Sequence, residues 1–169
     1  APPAYILQAE LIACEALVTG DRLDEAEQRL AHVGARLDPR TTPGQWGEYL
    51  RLRGEVGARA GRASDAYHDI AQSASVFDLL GERYQAALSH LALGRLAARA
   101  GARSTAERYF SQAGAVFDAL GALRDLDETR AAASQIATVG TGEYVGSPAD
   151  ADDAVVRRLV DAALQHDDG

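Results

Sequence analysis

Gly54-Glu55-Val56-Gly57-Ala58-Arg59-Ala60-Gly61, running on to Val76-Phe77-Asp78-Leu79-Leu80-Gly81, is echoed by a second stretch. That is Gly94-Arg95-Leu96-Ala97-Ala98-Arg99-Ala100-Gly101, running on to Val116-Phe117-Asp118-Ala119-Leu120-Gly121. A shift of 40 residues superimposes the two with thirteen identities over 54–81 and 94–121, including Ser64 on Ser104, Ala66 on Ala106 and Gln72 on Gln112. Alanine richness inflates chance matches, but the aligned Gly, Phe and Asp positions do not follow from composition. A period in this range marks a supersecondary unit that cannot bury its apolar face alone and stacks on copies of itself.

Each unit reads as two helices. Gln45 to Ala60 has no internal Pro and stops at Gly61, and Thr42-Pro43-Gly44-Gln45 opens it with capping-box spacing and Pro at the first helical position. Its partner runs from about Ser64 to Leu80 and stops at Gly81; Ser104-Thr105-Ala106-Glu107 is a second capping box, opening a helix that stops at Gly121. Tyr5–Thr19 and Leu23–Leu37 form a looser first pair, ended by Gly20 and by Asp38-Pro39, with one extra residue expected in the turn after Gly20. Arg124 to Thr138 reads as the first helix of a fourth pair. The domain reading is a repeat domain over 1–138 (pairs about 4–38, 43–81 and 83–121, then a helix 124–138), a linker over 139–149, and an amphipathic helix over 150–166. In that last segment Val156, Leu159, Val160 and Ala163 recur at helical spacing. It is expected to cap the array, to pair with a second copy in a homodimer, or to connect to a following domain.

The 169 residues suffice for a real core, and the formal charge of −8 disfavours direct nucleic-acid binding. A single cysteine, Cys14, excludes an internal disulfide and a multi-cysteine zinc site. No apolar run approaches a membrane span and no signal pattern opens the chain, so a cytoplasmic location is expected. Met and Lys are both absent, all 17 basic residues being Arg, and the chain reads as a piece of a longer protein.

The small-to-large pattern within each pair resembles the tetratricopeptide repeat family over roughly residues 4–138. The residues are Leu93-Gly94 then Ala106-x-x-x-Phe110 and Ala113; Arg53-Gly54 then Ala66-x-x-x-Ile70 and Ser73; Ile12-Ala13 then Ala26-x-x-x-Leu30. Gly94 and Ala106 are small because a side chain there would push paired backbones apart. His90 and Ala97 depart from the family's usual aromatics, and the period of 40 exceeds its usual value of about 34. The longer period is similar to the arrays in large bacterial signal-transduction regulators. The resemblance implies an all-α fold, a right-handed superhelical array of antiparallel helix pairs (an α-solenoid), with a C-terminal helix.

It further implies a non-catalytic protein–protein interaction module, the sensing or scaffolding part of a larger bacterial regulator, with a small-molecule effector-binding domain as the alternative. The expected partner is a protein or peptide, such as an acidic segment or a neighbouring domain of the same chain; no membrane, cofactor or metal is called for. In the family's geometry the first helix of each pair lines the concave groove. Its exposed positions map to Glu48, Arg51, Glu55 and Arg59, and to Leu88, Leu91, Arg95 and Arg99. Four arginines converging there would bind carboxylates through paired hydrogen bonds, unless they are satisfied by neighbours such as Glu55. Asp65-x-x-His68 is one imperfect copy of a di-iron motif that needs two, and Cys14, set among Leu11, Ile12 and Leu17, reads as a buried small residue.

Overall fold

In the computed structural model, which describes residues 3–139, seven helices follow one another and no strand occurs among the described residues. They are α1 (Ala4–Thr19), α2 (Leu23–Gly34), α3 (Pro43–Arg59), α4 (Ala63–Leu80), α5 (Arg83–Arg99), α6 (Arg103–Leu120) and α7 (Leu123–Val139). The predicted linker and the predicted helix over 150–166 lie outside the described residues.

The 40-residue period extends into the first pair. The turns after α1, α3 and α5 have the same length and the same closing bonds, Arg22 N to Leu17 O, Arg62 N to Gly57 O and Ala102 N to Ala97 O, at 2.9, 2.8 and 2.9 Å. Each turn needs one residue in the left-handed region: Gly61 and Gly101 take φ of 81° and 78°, and Asp21 takes 58° in the first pair. Glycine enters that region freely and Asp is among the few side chains that tolerate it. The expected extra residue after Gly20 is therefore absent. Gly20 itself has an ordinary φ of −80°, and Cys14, not Ala13, stands where Gly54 and Gly94 stand.

Local details depart from the capping signals. Thr42 turns its hydroxyl back to the Asp38 carbonyl (3.0 Å) instead of capping α3. The sixth helix begins at Arg103, so Ser104 lies inside its first turn and the second capping box does not form. Helix α2 ends at Gly34, three residues short of Leu37: the following bonds tighten to Arg36 N–Val33 O and Leu37 N–Gly34 O, and Pro39 disfavours helical geometry at Asp38.

Within a pair the helices run antiparallel. A Cβ added at Gly47 would meet the Phe77 ring at 2.8 Å, at Gly54 it would meet Ile70 Cγ1 at 2.5 Å, and at Gly57 it would meet Ala66 Cβ at 3.7 Å. As the α3 number rises, the α4 number falls. The third pair repeats this 40 residues on, with Gly94 facing the Phe110 ring at 2.5 Å. The glycine is small to seat that ring, rather than to bring two backbones together. Ala26, Ala66 and Ala106 are fully buried at equivalent positions of α2, α4 and α6.

The core is serial. One cluster joins α1, α2 and α3 around Leu11, Leu30 and Leu50; the next joins α4 and α5 around Ile70 and Leu96; the third joins α5, α6 and α7 around Phe110, Phe117 and Leu126. Each helix packs most on its chain neighbours, and α1, α3, α5 and α7 also touch in succession. A buried polar link crosses this stack: Ser73 donates to the Gly47 carbonyl at 2.8 Å, and its oxygen lies 2.9 Å from Ser89 Oγ. No helix among the described residues is long and apolar enough to cross a membrane.

Candidate functional site

The predicted groove residues sit on α3 and α5, and most of their polar groups are used by the fold. Arg51 is buried; it donates to Gln85 Oε1 at 3.2 Å, pairs with Glu15 at 3.5 Å and reaches Glu55 at 3.9 Å. Its Nε is enclosed and has no hydrogen-bond partner among the described residues. Arg59 donates to the Val18 carbonyl and lies 3.6 Å from Asp21. Arg95 is paired with Glu128. Glu48, half-buried, accepts from Gln8 at 2.9 Å. Tyr84 adds a bond to Asp125 at 3.0 Å.

These contacts run between successive first helices, α1 to α3, α3 to α5 and α5 to α7. The expected cationic groove is thus largely neutralised from within. The residues that neutralise it come from other repeats, roughly one period away in the chain, not from the intrahelical spacing alone. Burial pushes the Glu48 carboxyl above its ordinary range, against the opposing Gln8 hydrogen bond and Arg51 charge. It does the same to Glu55, although Arg51, Arg95 and Arg59 all pull that carboxyl down.

The apolar half of the prediction is corrected. Leu91 is 2 % exposed and belongs to the α5–α6–α7 core, and Leu88 is half-buried against the same cluster. Both pack toward α6 and α7, which cover that side of α5. His90 stacks on Tyr109 with ring centroids 6.1 Å apart, and burial lowers its pKa. Asp65 and His68 are both exposed, and no three His, Cys, Asp or Glu side chains gather among the described residues.

Of the four predicted arginines, Arg99 keeps an exposed guanidinium with no carboxylate partner among the described residues. It stands between two versions of one repeat position. On its α3 side, Glu55, Arg59, Ile70 and Leu96 close around a gap of only about 20 Å³. On its α7 side, the equivalents 40 residues on (Arg95, Arg99, Phe110 and Ile136) border an open cleft of about 670 Å³. Leu96 is 3 % exposed and fills the first gap, whereas Ile136 is half-buried and leaves the second unfilled. Ala132 and Phe110 supply the apolar floor, and Arg99, Arg103 and the Arg95–Glu128 pair stand at the rim.

Sequence reasoning located Arg95 and Arg99 but missed Arg103, Phe110, Ala132 and Ile136. The repeat register carried the signal: adding 40 to Ile70, Ala92 and Leu96 gives the positions of Phe110, Ala132 and Ile136. No family model, curated protein or solved structure matches the chain.

Proposed function

We propose that this chain is a non-catalytic protein–protein interaction module of tetratricopeptide type. In this reading its helix pairs form a right-handed superhelical array that serves as the sensing or scaffolding part of a larger, cytoplasmic bacterial regulator. The observation that carries the reading is the cleft between α5, α6 and α7, where the unpaired Arg99 guanidinium borders a floor of Phe110, Ala132 and Ile136. Guanidinium beside apolar floor suits a short acidic segment that brings one large apolar side chain. The carboxylate takes two parallel hydrogen bonds from Arg99, and the side chain fills the gap that Leu96 fills one repeat earlier.

Peptide display against the intact chain tests this. Enriched sequences should combine Asp or Glu with one large apolar residue, and Arg99→Gln should weaken them about tenfold, or ~1.4 kcal/mol. Raising salt should weaken binding as well. Binding that is indifferent to both Arg99→Gln and Ala132→Glu would refute the assignment.

A small-molecule effector is the second reading, favoured by the cleft volume of about 670 Å³, within the range of ligand pockets. A metabolite that raises the melting temperature of the wild type but not of Ala132→Glu would support it over peptide capture.

A further inference from the structure

Three surfaces are left without a partner among the described residues: the α5–α6–α7 cleft; the helix-end edge bearing Leu79, Leu80, Leu120 and Leu123; and the outward side of α1, with Tyr5 and Ile12 exposed. The cleft belongs to the reading above, and nothing in the structure identifies what would cover the edge. The α1 face identifies its occupant through its place in the repeat and its own shape. We infer that it is the interface of a two-fold homodimer, in which α1 packs antiparallel on α1 of a second copy of this chain.

The repeat register shows that this face is built for burial. Tyr49, Leu52 and Val56 share one face of α3, and Ser89, Ala92 and Leu96 share the same face of α5; all six are buried against the preceding pair. The equivalent positions on α1, Ala9, Ile12 and Ala16, are exposed, with Ile12 at 58 %. Helix α1 carries only two charged residues, Glu10 and Glu15, and both are engaged, by Arg36 and Arg51. The stripe between them, Tyr5, Ala9, Ile12 and Ala16, is without charge. A helix that is apolar on every side is one that both sides bury. Beside the stripe an open groove of about 740 Å³ runs between α1 and α2 over Ala13, Ala16 and Leu17.

Two features select the α1 of a second copy. The helices that cover this face elsewhere, α2 and α4, are themselves covered by α3 and α5. The outward side of α7 exposes Arg124, Asp127 and Glu128, charges that an apolar stripe would strip of water without pairing. Helix α1, by contrast, complements itself. Laid antiparallel with the two-fold axis beside Ile12 and Ala13, it sets Tyr5 over Gly20, Ala9 against Ala16 and Ile12 against Ala13, so that each large residue meets a small one. The second copy's Ile12 then enters the groove between α1 and α2. The face is about 24 Å long and roughly 20 Å wide across two helices at ordinary packing distance. Two copies therefore bury on the order of 1,000 Å² in all, the lower bound for a specific interface. The dimer is accordingly a reversible one. Both chains carry a formal charge of −8, and salt screens their mutual repulsion without touching an uncharged interface.

Sedimentation equilibrium of the full chain tests this. It should be dimeric at about 100 μM and monomeric at about 1 μM, and added salt should tighten the association or leave it unchanged. Ile12→Glu should weaken it at least about tenfold, whereas Leu79→Glu, on the exposed edge, should leave it unchanged; circular dichroism confirms that both fold. Oxidation reads the geometry. Ile12→Cys, beside the axis, should form a disulfide between chains, and Tyr5→Cys, held roughly 20 Å from its symmetry mate, should not. The buried Cys14 stays out of the reaction. A chain that remains monomeric at about 100 μM would overturn the inference. So would a dimer that survives Ile12→Glu, which would be held by another surface, or equal crosslinking at positions 5 and 12, which would make the pairing parallel. Peptide capture at Arg99 weakens with salt and is indifferent to Ile12→Glu, so the two readings fail separately.

Discussion

Gly54 and Gly57 lie three residues apart on α3, and replacing each with Ala should move stability in opposite directions. Both substitutions remove the same helix-interior penalty, about 1 kcal/mol. At Gly57 the new Cβ finds Ala66 Cβ at 3.7 Å, an ordinary contact, so the gain survives and the protein should be about 0.5–1 kcal/mol more stable. At Gly54 the new Cβ falls 2.5 Å from Ile70 Cγ1 and 3.0 Å from the Ala66 carbonyl oxygen. Ile70 is 1 % exposed and, being β-branched, has few rotamers to retreat into. The carbonyl belongs to the α4 backbone, so the helices themselves must separate. Overpacking of this kind costs about 1–3 kcal/mol; taking the upper half and subtracting the propensity gain leaves Gly54→Ala about 1–2 kcal/mol less stable. The two variants should therefore differ by about 1.5–3 kcal/mol, roughly 1 M in urea midpoint for a slope of about 2 kcal/mol/M. Urea unfolding followed by circular dichroism at constant slope reads this directly. Combining Gly54→Ala with Ile70→Ala should cost less than the sum of the two single changes. If Gly54→Ala and Gly57→Ala shift the midpoint equally and in the same direction, α3 and α4 do not interlock at Gly54.

Arg53 grips the largely buried Asp69 with two guanidinium hydrogen bonds and lies 5.1 Å over the Tyr49 ring; Asp69→Ala should cost about 1–2 kcal/mol in urea unfolding, moderated by the exposure of Arg53. Burial raises the Glu55 carboxyl above 4.5, so the folded state binds that proton more tightly and stability falls as pH rises from 4.5 through the raised value. Glu55→Gln should flatten that decline in a pH series of unfolding midpoints, and an unchanged slope would contradict it. The His90 pKa is lowered from 6.5, chiefly by burial and despite Asp78, so its protonation favours unfolding and stability is lost as pH falls below 6.5 through the lowered value; His90→Gln should remove that component. Cys14 is fully buried and its thiol is pushed up from 9.0 by burial, so a thiol reagent should leave the native chain unlabelled and titrate one thiol only in denaturant.

The helices and their 40-residue period were readable in the linear sequence because helix stops and small-residue spacing are local properties. Gly61, Gly81, Gly101 and Gly121 each end a helix, and all four have positive φ. The first pair was read out of register because Asp21 does the work of a turn glycine, a substitution that composition disguises but the repeated turn hydrogen bonds reveal. The ends of helices were misjudged where side chains turned elsewhere, as Thr42 does toward Asp38. Helical phase assigns the arginines of α3 and α5 to groove positions, but phase cannot say which of them are free. Arg51 is engaged by Glu15 and Gln85, Arg59 by Asp21 and Arg95 by Glu128, each roughly one repeat away. Exposure of Leu91 was likewise decided by α6 and α7 closing over α5. Local propensity and periodicity are written in neighbouring residues; charge pairing, burial and an unfilled gap at Ile136 arise only when helices distant in sequence are brought within contact distance.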